Sequence, residues 1–377
     1  MTGKKKFSLP LFRLEYSDKF IDEFCQEARS ILKSGFLSEG RLSRQWEVDF
    51  ATFQKVPHAL SVTSCTTGLE AILRAIDVRG KKVLMPSNTY FATATAIEAS
   101  GATPVLLDCD ITSFSICSKD LAKKIDDSVG AVIVVHVGGI IAENILEIKQ
   151  ICDAAGVPLV EDAAHAHGSY LSKDIVAGNI GIAGSFSFFP TKVMTTGEGG
   201  MVTGKKEFLE KARLIKNFGA DPDKEKQCVV EQGGNYRIHE FTALLGILEN
   251  KRAESRINRR GNLAKRYVRN LSGSNYIPIL QSSGRCSHYK IILMTDTFAP
   301  ASNLKEFCAK ENVTLTGQVY ETPVHKQPRF QEQFKNLYLP KTDLISNFHI
   351  CPPLYPELSN DEVDYACEVL LKYPGAI

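Results

Sequence analysis

The chain contains no stretch of ~18 uninterrupted apolar residues, so no transmembrane helix is expected. Neither charge is in excess: 45 basic residues stand against 43 acidic ones, a net charge of +2. That balance leaves no electrostatic footprint for nucleic acid or an acidic membrane surface. The one basic run, Lys4-Lys5-Lys6, lies at a chain end, where frayed, solvated charge is the simpler account. No signal peptide is expected, because the apolar stretch Phe7 to Leu14 is short and broken by Pro10 and Arg13. Ten cysteines are scattered along the chain without a C-x-x-C pair. This argues against a zinc ribbon and a thioredoxin-type motif and fits reduced, mostly buried thiols of a cytoplasmic protein. A Walker A loop, internal repeats and low-complexity linkers are also missing. What remains is a globular chain of 377 residues, long enough for a large domain and a smaller one.

Within it, strands and helices alternate. Helical spacing runs over 16–34 and is followed by a loop, Leu37-Ser-Glu-Gly-Arg41, and a second helix carrying Trp46, Phe50 and Phe53. Strands are expected at 59–63, 82–86, 103–108, 129–137, 157–162 and 185–188, and helices after Ser64, from Ser87 to Ile97 and over 144–155, 205–217 and 240–269. The charged run Lys251 to Arg260 in the last of these is expected to be a solvated face. Beyond 270 come short strands, a helix at 302–311, proline-containing loops and a terminal helix at 360–372. Alternating strands and helices point to a mostly parallel α/β sheet, where ligands collect at the carboxyl ends of strands. Those ends are Ser64–Gly68, Ser87–Tyr90, Asp162–His165 and Ser187–Lys192.

Each end carries chemistry. In Ser185-Phe-Ser-Phe-Phe-Pro-Thr-Lys-Val-Met-Thr-Thr-Gly-Glu-Gly-Gly200, the lysine follows an aromatic strand and precedes a glycine-rich turn. Phe186, Phe188, Phe189 and Pro190 suggest an apolar approach, and Gly197, Gly199 and Gly200 suggest close approach of backbone to a ligand. A lysine in an apolar pocket has its charged form disfavoured and becomes an amine nucleophile, the group that forms a Schiff base with pyridoxal phosphate (PLP). The turn at Ser64, Thr66 and Thr67 offers helix amides and hydroxyls for a phosphate; the alternative is an ordinary N-cap. Asp162 suits a pyridine nitrogen that must stay protonated, or else caps the next helix. Asp162, His165 and His167 also invite a metal, but no paired carboxylate motif accompanies them, and no metal is expected. His136 either lines the pocket or caps a turn, and His325, in a proline-flanked loop, either reaches a substrate or is an ordinary loop histidine.

Four segments together resemble the DegT/StrS family of sugar aminotransferases: Ser187-Phe-Phe-Pro-Thr-Lys192 with Thr195-Thr-Gly-Glu-Gly-Gly200, Pro86-Ser-Asn-Thr-Tyr-Phe-Ala-Thr93, Glu161-Asp-Ala-Ala-His-Ala-His-Gly168, and Gly234-Asn-Tyr-Arg237. The resemblance runs from about residue 8 to about 372. It implies PLP fold type I: a large domain over 1–250 with a mostly parallel, seven-stranded-type sheet flanked by helices, and a smaller C-terminal α+β domain over 251–377. The N-terminal segment is open to packing on the smaller domain, which takes in the end of a long linking helix.

By position, Lys192 resembles the Schiff-base lysine, Asp162 the acid under the ring nitrogen, His165 the residue beside the ring hydroxyl and Tyr90 the stacking aromatic. Cys65, Thr66 and Ser187 match the phosphate ligands, and Asn235 matches a residue that the neighbouring subunit contributes, which implies a homodimer with shared sites. Arg237 matches a residue for the donor carboxylate. The implied reaction moves an amino group from an amino acid, glutamate, to a keto-sugar, with a nucleotide attached, for amino-sugar and surface-glycan synthesis. The alternatives are a same-fold transaminase for another ketone (a keto-sugar acid, a cyclitol or a small ketone) and a non-catalytic PLP-binding regulator. Cys65, Phe189 and Arg41 depart from the residues the family often has there (glycine, histidine and proline). Phe189 and Arg41 are therefore expected to mark the substrate preference.

Overall fold

The computed structural model describes residues 7–221, 224, 228–295, 297–316 and 319–377; the Lys4–Lys6 run lies outside them. Seven strands form the main sheet: β1 (His58–Val62), β2 (Lys82–Pro86), β3 (Thr103–Leu107), β4 (Val129–Val135), β5 (Leu159–Asp162), β6 (Ala183–Ser187) and β7 (Gly200–Gly204). Their order is β1-β7-β6-β5-β4-β2-β3. β7 runs antiparallel to both its neighbours, and every other pair is parallel.

Helices cover both faces, so the central strand is apolar throughout. All of β4 is buried. Val132 and Val134 feed the core on one face, with Trp46, Phe50, Phe186 and Phe188, while Ala131 and Ile133 feed the other, with Leu69, Ile72 and Ile97. The parallel strands place their carboxyl ends along one edge, which carries the site.

Three sequence expectations shift here. The helix expected from Ser87 begins at Ala92. The Ser87 carbonyl accepts the Val324 amide at 2.9 Å and is not free to start a helix. The strand expected to reach Val137 stops at Val135, because Gly138 and Gly139 take positive φ values of 67° and 93° and turn the chain away. Gly200–Gly204 is a strand with both edges paired, where the sequence suggested only a glycine-rich turn.

A second sheet, β8 (Ile277–Ile279), β9 (Ile292–Met294) and β10 (His349–Ile350), is antiparallel and packs with the helices Ala301–Lys310 and Asn360–Leu371. Leu9 joins this C-terminal core and makes a parallel bridge to Val313. The 31-residue helix Glu240–Asn270 serves both cores, with Leu244, Leu248 and Ala253 in one and Leu263, Ala264 and Tyr267 in the other.

That double packing corrects the solvated-face expectation for part of its charged run, in which Lys251 and Glu254 are exposed and two arginines are not. Arg256 and Arg260 are buried; Arg256 pairs with Glu357 at 2.9 Å, and Arg260 donates to the Leu354 carbonyl at 2.7 Å. The start of this helix holds another one. Helix Arg41–Gln54 has Gly40 as its N-cap and no side-chain cap of its own. The buried Glu240 carboxylate accepts the amides of Gly40 (3.0 Å), Leu42 (2.8 Å) and Ser43 (2.9 Å) and the Ser43 hydroxyl (2.5 Å).

Among the described residues no helix is long and apolar enough to cross a membrane. All ten cysteines are free, and seven of them are buried.

Candidate active site

The carboxyl ends of β1, β2, β5 and β6 open into one cavity of about 440 Å³. Cys65 and Thr66 line it after β1, Tyr90 and Thr93 after β2, Asp162 and His165 at the end of β5, and Ser187, Phe189 and Lys192 at the end of β6. The four polar stretches singled out in the sequence thus meet at one place. The C-terminal part closes the cavity with Tyr289, Val319 and Tyr320.

The helix Cys65–Ile76 begins at the cavity wall. Ser64 and Thr67 cap each other: the Ser64 hydroxyl accepts the Thr67 amide at 3.1 Å, and the Thr67 hydroxyl accepts the Ser64 amide at 3.0 Å. Those two side chains are therefore occupied. The helix start, Thr66 and Ser187 remain as partners for an anion, favoured further by the helix dipole. Cys65 turns its thiol inward, donating toward the Ser185 carbonyl at 3.4 Å and toward Asp162 Oδ1 at 3.7 Å. Burial and the Asp162 charge push this thiol well above its ordinary range, so it is a packing group and not a nucleophile.

Asp162 is 7% exposed. Thr93 donates to its Oδ2 at 2.9 Å and the Ala164 amide to its Oδ1 at 3.2 Å. Burial raises its pKa; these hydrogen bonds and the charges on Lys192 and His136 pull it back, and the net shift stays upward. A buried carboxylate left short of positive charge suits a protonated ring nitrogen. With a helix start, an amine and the rings of Tyr90 and His165 lining the same cavity, this donor set fits PLP.

His165 is buried, and burial and the neighbouring cations hold its pKa well below the ordinary value. The imidazole is neutral, and its Nδ1 accepts the Gly138 amide at 3.3 Å, which leaves the proton on Nε2. Its ring stacks on Tyr289 at 4.1 Å between centroids and faces Tyr320 at 5.8 Å.

Lys192 is half-buried, with its Nζ 4.8 Å from the centroid of the Tyr289 ring. The aromatic approach expected from the sequence is mostly elsewhere. Strand alternation sends Phe186 and Phe188 into the core against Phe50, and only Phe189 faces the cavity. The glycines also act differently from expectation. Gly200 lets β7 pass against the backbone of Ser64 and Cys65, so it admits protein and not ligand.

The remaining candidates lie outside this cavity. Arg41 starts its helix and lines a separate hollow with Glu27 and Glu240. Asn235 is exposed and bridges Asn217 through backbone; Arg237 donates to Asn217 Oδ1 at 2.6 Å and lies over Phe218. His325 is no cavity residue either: its Nδ1 meets the Ser87 hydroxyl at 2.7 Å and its Nε2 meets Asp343 at 3.1 Å. His136 pairs with the buried Glu161 at 2.9 Å, and Glu161 also accepts the amides of Gly178, Ile180 and Gly181. His167 is packed among Phe50, Phe186 and Phe188, and burial lowers its pKa to about 3. Among the described residues no group of three or more His, Cys, Asp or Glu is arranged to hold a metal ion.

Sequence reasoning missed Thr93, Glu198, Tyr289 and Tyr320, all of which line the cavity. Thr93 sits in a segment already singled out. Tyr289 carries no local signal, since its place depends on how the C-terminal part docks.

Comparison with known proteins agrees with this geometry. The model of the DegT/DnrJ/EryC1/StrS aminotransferase family matches residues 18–371. The chain is 30% identical over 383 residues to the spore coat polysaccharide biosynthesis protein SpsC of Bacillus subtilis, covering 97% of this chain and 95% of that one. It is 29% identical over 352 residues to GDP-perosamine synthase of Vibrio cholerae, covering 92% and 95%. Its fold matches that of Helicobacter pylori PseC, an aminotransferase involved in pseudoaminic acid biosynthesis, with a TM-score of 0.88 at 23% identity over 97% and 99% of the two chains. The chain belongs to the DegT/DnrJ/EryC1/StrS aminotransferase family, whose aminotransferases are PLP-dependent.

Proposed function

We propose that the protein moves an amino group from L-glutamate to the carbonyl of a nucleotide-linked keto-sugar, giving an amino sugar for a surface glycan. The observation that carries this reading is the meeting of Lys192, Asp162 and the start of the helix Cys65–Ile76 in one cavity. The names of the relatives, a perosamine synthase and a spore coat polysaccharide protein, support the sugar as acceptor. We take the protein to be a cytoplasmic homodimer, with the large domain over 1–250 and the smaller over 251–377.

PLP, when bound, supplies an aldehyde that bonds an amine and a ring that draws electrons from the carbon losing a proton. The chain does the rest. Lys192 would hold the cofactor and, once displaced by the incoming amine, would move the proton from the donor's α-carbon. Asp162 would keep the ring nitrogen protonated. The amides of Cys65 and Thr66 and the Ser187 hydroxyl would hold the phosphate, with Asn235 added from the partner. Tyr90 would cover the ring, and the Nε2–H of His165 would face its hydroxyl. Arg237 would bind the donor carboxylate.

The test is a screen of keto-sugars, nucleotide-linked and free, against the pyridoxamine form of the enzyme, reading return of the visible cofactor band. A response confined to small ketones or cyclitols would replace the sugar reading. A Lys192→Ala protein should form no borohydride-reducible PLP adduct, and a persistent adduct would remove Lys192 from its role.

A further inference from the structure

Tyr289 comes from the C-terminal part of the chain, yet it is tied to the lysine turn at several points. Its ring lies 4.8 Å from Lys192 Nζ. Its hydroxyl is 3.1 Å from the hydroxyl of Thr191, the residue before Lys192. Its ring also stacks on His165, and the segment bearing it is fastened to the same wall, where Ser287 Oγ donates to the His165 carbonyl at 2.5 Å. Tyr289 is 8% exposed, so this geometry is held by packing. Lys290 is 5.2 Å from the same ring but does not line the cavity.

A lysine side chain has four rotatable bonds, and a half-buried one samples many positions unless something holds its head. An aromatic face does so by attracting the ammonium. We propose that Tyr289 is the positioning residue for Lys192, its hydroxyl locking the ring to the turn and its face holding the amine within reach of the cofactor and of the substrate proton. This rests on Lys192 being the lysine that bonds PLP.

The test separates lysine placement from cofactor binding. Apo-protein is mixed with PLP, the covalent adduct is fixed with borohydride at timed intervals, and the labelled peptide is mapped. Equilibrium affinity is measured separately for pyridoxamine phosphate, which has no aldehyde to bond a lysine. Tyr289→Leu should slow capture by roughly 10- to 100-fold, with affinity for pyridoxamine phosphate changed by less than about threefold. Tyr289→Phe, which keeps the ring but loses the contact with Thr191, should fall between the leucine variant and the wild type in capture rate. Tyr289→Met, whose flexible side chain fills irregular space better than leucine, stands in if the leucine variant fails to fold. Capture by the leucine or methionine variant at the wild-type rate overturns the proposal, as does equal loss of capture and of pyridoxamine phosphate affinity. A label mapped to a residue other than Lys192 in the wild type overturns the reading of Lys192 instead.

Discussion

Replacing Gly200 by alanine should weaken PLP binding although Gly200 itself does not line the cavity. A Cβ at this position would lie 2.3 Å from the carbonyl carbon of Ser64, 2.4 Å from its oxygen and 2.8 Å from the Cys65 amide nitrogen. Ordinary contact needs ~3.5 Å, so something must move by ~1 Å. β7 cannot retreat easily, because Gly200 is paired with Val62 on one side and with Ser187 on the other. The displacement therefore falls on the start of the helix Cys65–Ile76, whose amides form the proposed phosphate cradle. Misplacing a binding group by about 1 Å costs on the order of 100-fold, and overpacking costs roughly 1–3 kcal/mol of stability. Calorimetric titration of the apo-protein should show PLP affinity falling by about two orders of magnitude. Affinity for pyridoxal, which lacks the phosphate, should fall by less than about threefold. Gly200→Ala protein that binds PLP as tightly as wild type, or that loses pyridoxal to the same degree, refutes the argument.

Two further outcomes follow from other parts of the molecule. Glu240→Ala strips the cap from helix Arg41–Gln54 and should cost roughly 2–4 kcal/mol, a fall in Tm of several degrees. Burial raises the Glu240 pKa, but the hydrogen bonds from Ser43, Leu42 and Gly40 outweigh it and leave it lowered. Its stabilisation is thus complete above the unfolded carboxyl range and lost as pH falls through the folded value, so the Tm gap should narrow below about pH 4; a gap that is constant with pH would contradict this. Mixing inactive Lys192→Ala chains with Asn235→Ala chains should restore roughly a quarter of wild-type activity, since half the dimers are mixed and each has one intact site. Activity no higher than the average of the two parents would mean that Asn235 acts within its own chain.

The elements that carry the site were legible because each has a strong local signature. The apolar run of β4, the hydroxyl-rich helix start after β1 and the acid closing β5 follow from residue order alone. Their convergence follows from parallel strands sharing one carboxyl edge. What was hidden depended on tertiary context. Gly200-Met-Val-Thr-Gly204 is bounded by glycine at both ends and looks like turn, yet pairing on both edges makes it a strand. The arginines of the long helix have the spacing of a solvated face, and only the docking of a second core buries them. Phe186, Phe188 and Phe189 are adjacent in sequence, but the pleat sends Phe189 to the cavity and the other two to the core. Tyr289 and Tyr320 belong to the site only because the C-terminal part folds back over it.

The link from Ser87 through His325 to Asp343 bears on how such enzymes diverge. It ties the C-terminal part to the loop that bears Tyr90, with a second bond from the Val324 amide to the Ser87 carbonyl. The parts on either side of the cavity are therefore not interchangeable modules. A recombinant that takes its C-terminal half from a relative keeps this wall of the cavity in place only if that half brings a group able to bond Ser87. Breakpoints that carry the Ser87–Phe91 loop together with residues 319–343 keep the joint whole.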